Sequence, residues 1–566
     1  MRKPLHDKAH IMHAQTALPV AGEFDYLVIG AGSAGCAVAG RLSEDPTVRV
    51  AVLENGGPDD HYLIWTPIGL AKTVVKPGPY NYGYYTEPQP GLNGRSSYQP
   101  RGRVLGGSSS LNGMVYIRGH RKDYDDWAAN GCAGWGFDEV LPYFRRSENN
   151  RRFAGTDNPW HGTEGPLYVN DLRSPNPFSR QFLLAAQQAG HTLNDDFNGA
   201  EQEGFGFYQV TQHNGERWNA SRAYLHRGET AGGRYNGGRG NLHVLTGTQA
   251  LRLVFEGRRA VGVVVVRDGV ETTLRARREV IVSGGVFNSP QLLMASGIGP
   301  AAHLQSFGIE VRHDLPGVGE NLQDHLDIVI NMQLDSKDLF GATLGGGLRL
   351  LREIRRYRRE RTGMLTSNFV EAGAFVKSRP ELDRPDLNLV FTVALIGNRN
   401  MGSRRKLGHG YSGHVCVLRP ASRGHVRLRS RDMREAPLID TRLLSAQSDM
   451  ETLIAGIHMM RNVFSQPALK DLGGREMKSE SFADETSLRA FVREHADCLY
   501  HPVGTCRMGS GNDPLAVVDP QLRVHGCEGL RVVDCSIMPS LIGGNTNAPA
   551  MMIGEKAADM IRKSAR

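Results

Sequence analysis

Asp25-Tyr26-Leu27-Val28-Ile29-Gly30-Ala31-Gly32-Ser33-Ala34-Gly35, with Val50-Ala51-Val52-Leu53-Glu54 further on, decides the fold. The order reads strand, glycine turn, helix, strand, acid. Tyr26 to Ile29 is an apolar run without polar alternation, as suits a strand buried on both faces of a parallel sheet. Gly30 permits a tight turn, Gly32 lets the backbone approach a pyrophosphate, and Gly35 lets the helix pack closely on its strand. The helix start, at Ser33 and Ala34, offers free N–H groups and a positive dipole end to phosphates. Glu54 follows Gly35 by 19 residues, at the end of the next strand, where an acid accepts hydrogen bonds from a ribose diol. The pattern predicts a dinucleotide site and leaves NAD and FAD both open.

The 566 residues exceed one core of ordinary size, so two or more domains are expected. With 40% hydrophobic and 22% charged residues the composition is that of a soluble protein, and a net charge of +8 is mild for this length. Nothing resembles a nucleic-acid module, and no apolar run approaches the roughly 18 residues of a membrane span. Seven scattered cysteines suggest a reducing compartment, hence a cytoplasmic protein, without a disulfide framework. Residues 1–19 read as a disordered extension, neither signal peptide nor anchor.

A second glycine-rich stretch runs Arg103-Val104-Leu105-Gly106-Gly107-Ser108-Ser109-Ser110-Leu111-Asn112-Gly113-Met114-Val115. Its backbone N–H groups and small side chains suit an anion or a flat ring. Residues 185–200 and 204–213 read as a helix and then a strand. Segments 242–245, 252–255, 261–267 and 272–276 alternate between turn residues and read as an antiparallel meander. Segments 387–394, 413–418 and 426–428 read as strands of a second sheet. Residues 349–361 form a basic helix with Leu350, Leu351, Ile354 and Tyr357 on one face, a candidate for peripheral contact with the inner membrane.

Five ordered blocks carry a resemblance: Gly30-x-Gly32-x-x-Gly35 with Glu54; Gly106 to Gly113; Ser289-Pro290-Gln291 through Pro300; Pro316 to Leu322; and His501-Pro502 with Asn545-Thr546-Asn547. Together they resemble the glucose–methanol–choline (GMC) oxidoreductases, FAD enzymes that oxidise alcohols. The stretches 367–375 and 419–424 are similar to bacterial choline-dehydrogenase-like enzymes acting on aliphatic primary alcohols. The resemblance implies an α/β, two-domain fold. A Rossmann-like FAD domain would be assembled from 20–160, 225–325 and 505–566. A substrate domain with an antiparallel sheet and helices would come from 161–224 and 326–504.

Alcohol oxidation needs a base for the hydroxyl proton, and histidine titrates near neutral pH. A second group must orient the oxygen. The resemblance assigns these roles to His501 and Asn545. It places Arg103, Val104, Gly107, Ser108, Asp534 and Asn547 near the cofactor, and Asn112, Gly113, Met114 and Val115 beside the flavin ring. Some members tether FAD through a histidine in the second glycine block; Leu111 stands before Asn112 here, which implies non-covalent FAD. His325 reads as structural, and no metal is expected. Electrons would pass to a quinone or other acceptor, with an oxidase using O₂ as the rival. A choline dehydrogenase would need a cage for the ammonium, with Glu371 as the candidate acid.

Overall fold

The computed structural model describes residues 23–226, 238–341, 346–397 and 408–565. The expected N-terminal extension lies outside them. β1 (Glu23–Ile29) leads into α1 (Ser33–Leu42) and β2 (Val50–Leu53). Loops and short turns carry the chain to α2 (Arg121–Ala129), α3 (Phe137–Ser147) and α4 (Pro177–Gln188), then β3 (Gly204–Phe207). There follow β4 (Leu242–Leu245), β5 (Thr248–Glu256), β6 (Arg259–Arg267), β7 (Val270–Val282) and α5 (Gly285–Ala295). β8 (Leu326–Gln333), α6 (Gly346–Glu360), β9 (Val370–Val376), β10 (Leu387–Thr392) and β11 (Gly410–Val417) come next. α7 (Gln447–Phe464), α8 (Glu485–His495), β12 (Leu530–Val532) and α9 (Asn547–Ser564) complete the chain.

The first sheet runs β4-β2-β1-β7-β6-β5, with β12 against β7. β4, β2, β1, β12 and the end of β7 are parallel. Val28, Val50, Ala51, Val52 and Ile281 are fully buried, as helices on both faces demand. α1 and α9 pack on each other. The second sheet is antiparallel, ordered β8-β11-β10-β9-β3. One face of it, with Ile328, Ile330, Leu389, Phe391 and Val415, joins Phe182 of α4 and Leu453, Ile457 and Met460 of α7 in a core. The period of two then turns Asp327, Val329, Asn331, Asn388, Thr392 and His414 to the other face, where they line a cavity.

Several elements differ from the expectation. Leu242–Leu245 is no part of the meander: it pairs parallel with β2 at the sheet edge. The strand expected at 272–276 is part of one longer strand, β7, whose first half closes the meander and whose second half joins the parallel set. Helix α4 ends at Gln188, before the residues expected to be helical past 189, and Gly190 at φ +88° follows it. The strand at 425–427 pairs only with 438–440, outside the second sheet.

Candidate active site

One cavity of about 1350 Å³ runs from the C-terminal ends of β1 and β2 to the polar face of the second sheet. That exceeds the roughly 300–1,000 Å³ of a drug-sized ligand site. It lies at the carboxyl ends of parallel strands, where α/β sheets bind ligands.

The glycine turns shape its first half. Gly30 has φ +105°, and a Cβ there would lie 2.3 Å from the Ser283 carbonyl oxygen. Gly107 has φ +54°, and its Cβ would meet Gly32 Cα at 2.7 Å, so the two glycine loops touch. A Cβ on Gly32 would meet nothing within 4 Å; it would stand in the cleft a ligand backbone occupies. Helices α1 and α9 both begin at this cleft, and neither has a side-chain cap at its N-terminus. Ser33 Oγ joins the two starts by donating to Asn547 Oδ1 at 2.7 Å. Uncapped helix N-termini require another acceptor, and phosphate oxygens meet the requirement. The Glu54 carboxylate accepts from Ala31 N at 3.2 Å and Gly56 N at 2.8 Å, on the cavity wall. Burial pushes it up to about 7, against the pull of those amides and Arg103. These residues fit an adenine dinucleotide.

Of the positions expected from sequence, the cavity wall holds Gly30, Gly32, Ser33, Ala34, Glu54, Arg103, Gly107, Ser108, Asn112, Gly113, Met114, Val115, His501, Asp534, Asn545 and Asn547. Gly35 and Val104 are not on it. A Cβ at Gly35 would lie 1.9 Å from the Gly30 oxygen, so Gly35 serves helix–strand contact. Val104 is fully buried and bridges to Gly57. The Asp534 carboxylate accepts from Ser289 Oγ (2.6 Å), Gly285 N (2.9 Å) and Ser536 N (2.8 Å), which fixes the start of α5.

At the far end stand His501 and Asn545. Asn545 Nδ2 lies 3.1 Å from His501 Nε2, and His501 Nδ1 lies 3.0 Å from His325 Nδ1. Counting donors assigns the protons. His325 Nε2 faces the Ile542 carbonyl at 3.1 Å, which can only accept, so His325 carries its proton there. Its Nδ1 is then an acceptor, and His501 Nδ1 must donate. His501 Nε2 is left with a lone pair toward Asn545 and the cavity. Burial lowers His325 to about 4 and lowers His501 well below its ordinary value; the nearby His325 and Arg101 add to the latter shift. Both rings are neutral at pH 7.

The backbone around the pair is held as firmly. His501 N donates to Asp324 Oδ1 at 2.7 Å, and half-buried Arg101 donates to the Tyr500 oxygen at 2.7 Å. Burial pushes Asp324 up to about 7, with Arg101 opposing. Tyr500 at φ +69° and Met114 at φ +59° hold left-handed conformations that side chains rarely adopt, a feature that clusters at active sites. Arg217, 1% exposed, donates to Ser109 O (3.0 Å), Ile64 O (3.0 Å) and Asn112 Oδ1 (2.9 Å), pinning the second glycine loop from behind.

Sequence reading took His325 as structural and did not single out Asp324, Arg101 or Arg217. His325 is a partner of His501; the one sequence signal was the block Pro316 to Leu322 just before it.

A dinucleotide cleft joined to an ordered neutral histidine defines a cofactor-dependent oxidoreductase. Residues 24–327 match the N-terminal and 420–554 the C-terminal profile of GMC oxidoreductases. The chain is 44% identical over 541 residues to an alcohol dehydrogenase [acceptor] of Pseudomonas putida, covering 95% of each. It is 43% identical over 543 residues to an oxygen-dependent choline dehydrogenase of Brucella ovis, again covering 95% of each. An FAD-dependent oxidoreductase from Chaetomium thermophilum superposes with a TM-score of 0.83 at 26% identity, covering 96% of this chain and 100% of that one. The chain belongs to the GMC oxidoreductase family, whose cofactor is FAD.

Proposed function

We propose that the protein oxidises an uncharged primary alcohol to its aldehyde and passes the electrons to a quinone or similar acceptor. The observation that carries this is the His501 Nε2 lone pair, held beside Asn545 in the same cavity as the glycine cleft. Gly30, Gly32, Ser33, Ala34 and Glu54 would hold the adenosine diphosphate half of FAD, and Gly107, Ser108 and Asn112 to Val115 the ring. Bound there, FAD supplies the two-electron acceptor for the carbinol C–H. An alcohol oxygen that displaces the Asn545 Nδ2 contact at His501 Nε2 gives its proton to that nitrogen and accepts a hydrogen bond from Asn545 Nδ2. Asparagine cannot take a proton, so the acid–base work rests on His501 alone. The His325 contact keeps Nδ1 protonated while Nε2 changes state, which holds the ring in one orientation.

Choline is the second reading, because of the Brucella relative. Glu371 does not support it: this carboxylate is off the cavity wall and accepts from Ser367 Oγ (2.6 Å), Ser179 Oγ (2.9 Å) and Asn176 N (2.6 Å). Asp327 does line the cavity, but His414 Nδ1 lies 2.8 Å from it, and burial raises its pKa against that contact. Neither is a free anion for an ammonium group. A panel of alcohols with an artificial dye, run with and without oxygen, tests the proposal. Aliphatic primary alcohols should reduce the dye faster than choline; peroxide formed without the dye would favour an oxidase.

Leu111, 3% exposed on the cavity wall, has no atom that can bond a flavin covalently. Acid precipitation should therefore leave the yellow colour in the supernatant, and colour in the washed pellet would exclude non-covalent FAD. Among the described residues no helix is long and apolar enough to cross a membrane. The membrane part of the proposal is peripheral contact through 349–361 at the cytoplasmic surface.

A further inference from the structure

Among the described residues ten large apolar side chains are exposed, and five of them, Tyr62, Val75, Tyr85, Leu350 and Leu351, fall in neighbouring segments. Val75 and Tyr85 are 50% and 56% exposed and also line the cavity, so they form its rim. Lys72 and Lys76 are exposed beside them.

Helix α6 is seated next to this rim. Its inner face carries buried Glu353 and Tyr357. Glu353 Oε2 accepts from Met364 N at 3.0 Å, and Tyr357 Oη donates to the Gly215 oxygen at 3.0 Å. The turn Met364–Thr366 packs in turn on Pro67–Gly69, which opens directly into the rim segment. The outer face is different in kind. Leu351, 64% exposed, stands among exposed Arg352, Arg355, Arg358 and Arg359. None of these four arginines makes an ion pair among the described residues, whereas Arg356 pairs with Glu360 at 3.7 Å.

We infer that α6 and the apolar rim of the cavity form one docking surface for an anionic lipid bilayer, with the cavity mouth opening into it. Unpaired arginines match lipid phosphates, and the exposed leucines, valine and tyrosines match the boundary between headgroups and acyl chains. A second copy of this chain is a poor occupant, because two-fold pairing would set the same arginines against each other. A polyanion in water would leave Leu350, Leu351 and Val75 uncovered. The inference rests on the quinone acceptor and the peripheral contact proposed above and deepens them: an acceptor dissolved in the bilayer would reach the cavity without crossing water.

The test sediments the holoprotein with vesicles of phosphatidylcholine alone or mixed with phosphatidylglycerol, at low and high salt. Binding should require the anionic lipid and fall with salt. Each neutralised arginine should weaken the partition about fivefold, so Arg355→Gln/Arg358→Gln/Arg359→Gln should lose about a hundredfold. Leu351→Ser, which leaves the charge unchanged, should also weaken it. Dye-linked alcohol oxidation in solution should be unchanged in both variants, while the rate with a quinone dissolved in the vesicles falls. Equal binding to both vesicle types, unchanged binding by the triple variant, or a dimer in solution that these substitutions dissolve would each overturn the surface. Failure of the wild type to oxidise alcohols with the dye would instead defeat the proposed function, whatever the vesicles show.

Discussion

His501→Ala should lower kcat by about a hundred- to ten-thousandfold, the usual span for removing a general base, while the flavin content per chain stays at the wild-type level. The side chain is bonded to His325 and Asn545 and to no group of the glycine cleft. Its loss therefore removes the proton acceptor and leaves the dinucleotide cradle intact. An unchanged flavin spectrum and melting temperature separate lost chemistry from misfolding; retention of more than a tenth of wild-type kcat would falsify the assignment. The wild-type pH profile adds a second reading of the same group. The base is active when neutral, and burial lowers the His501 pKa well below its ordinary 6.5. The neutral form then persists as pH falls through 6.5. The acid limb of kcat/KM should lie below that pH, and a limb at 6.5 or above would mean that another group is titrating.

His325 shows where sequence reading stops. The block Pro316 to Leu322, just before His325, was legible as a glycine loop, because Gly317 and Gly319 mark turns. Nothing local says that His325 meets a histidine 176 positions away and orients its proton. Arg217 is the same kind of case: its partners are the Ile64 carbonyl from one segment and the Ser109 carbonyl and Asn112 side chain from another, both far from it in sequence. By contrast, the unit from β1 to Glu54 was legible because strand, turn, helix and acid are contiguous and each residue type answers a local geometric need. Leu242–Leu245 lies between the two cases. Three apolar residues and His243 before a turn announce a strand, but parallel or antiparallel pairing is decided by where the connection crosses the sheet. The polar face of the second sheet was hidden for a further reason: Asp327, Val329 and Asn331 alternate with Ile328 and Ile330 as they would on any solvent-facing strand, and only the packed structure turns that face to a cavity.

Gly30→Ala should yield unstable protein without FAD. The position has φ +105°, and a new Cβ would lie 2.3 Å from the Ser283 oxygen and 2.8 Å from its carbonyl carbon. Both atoms are backbone, so no rotamer change relieves the overlap. Ser283 closes the end of β7, and its N–H donates to Ile29 O at 2.7 Å. Moving it apart from Gly30 would open the first sheet where the dinucleotide is to be held. The backbone conformation alone costs about 1–3 kcal/mol for a residue with a side chain, and the overlap adds to it. Gly32→Ala supplies the contrast. Gly32 has φ −78°, within the range of any residue, and its Cβ meets nothing within 4 Å. That variant should fold, and its flavin-free form should melt within a few degrees of wild-type apoprotein, yet the added methyl occupies the cleft and should cost most of the bound FAD. Two glycines two positions apart thus separate the need for a turn from the need for an empty surface. Equal loss of melting temperature in both apoproteins, or full flavin in Gly32→Ala, would show that Gly32 does not face the cofactor.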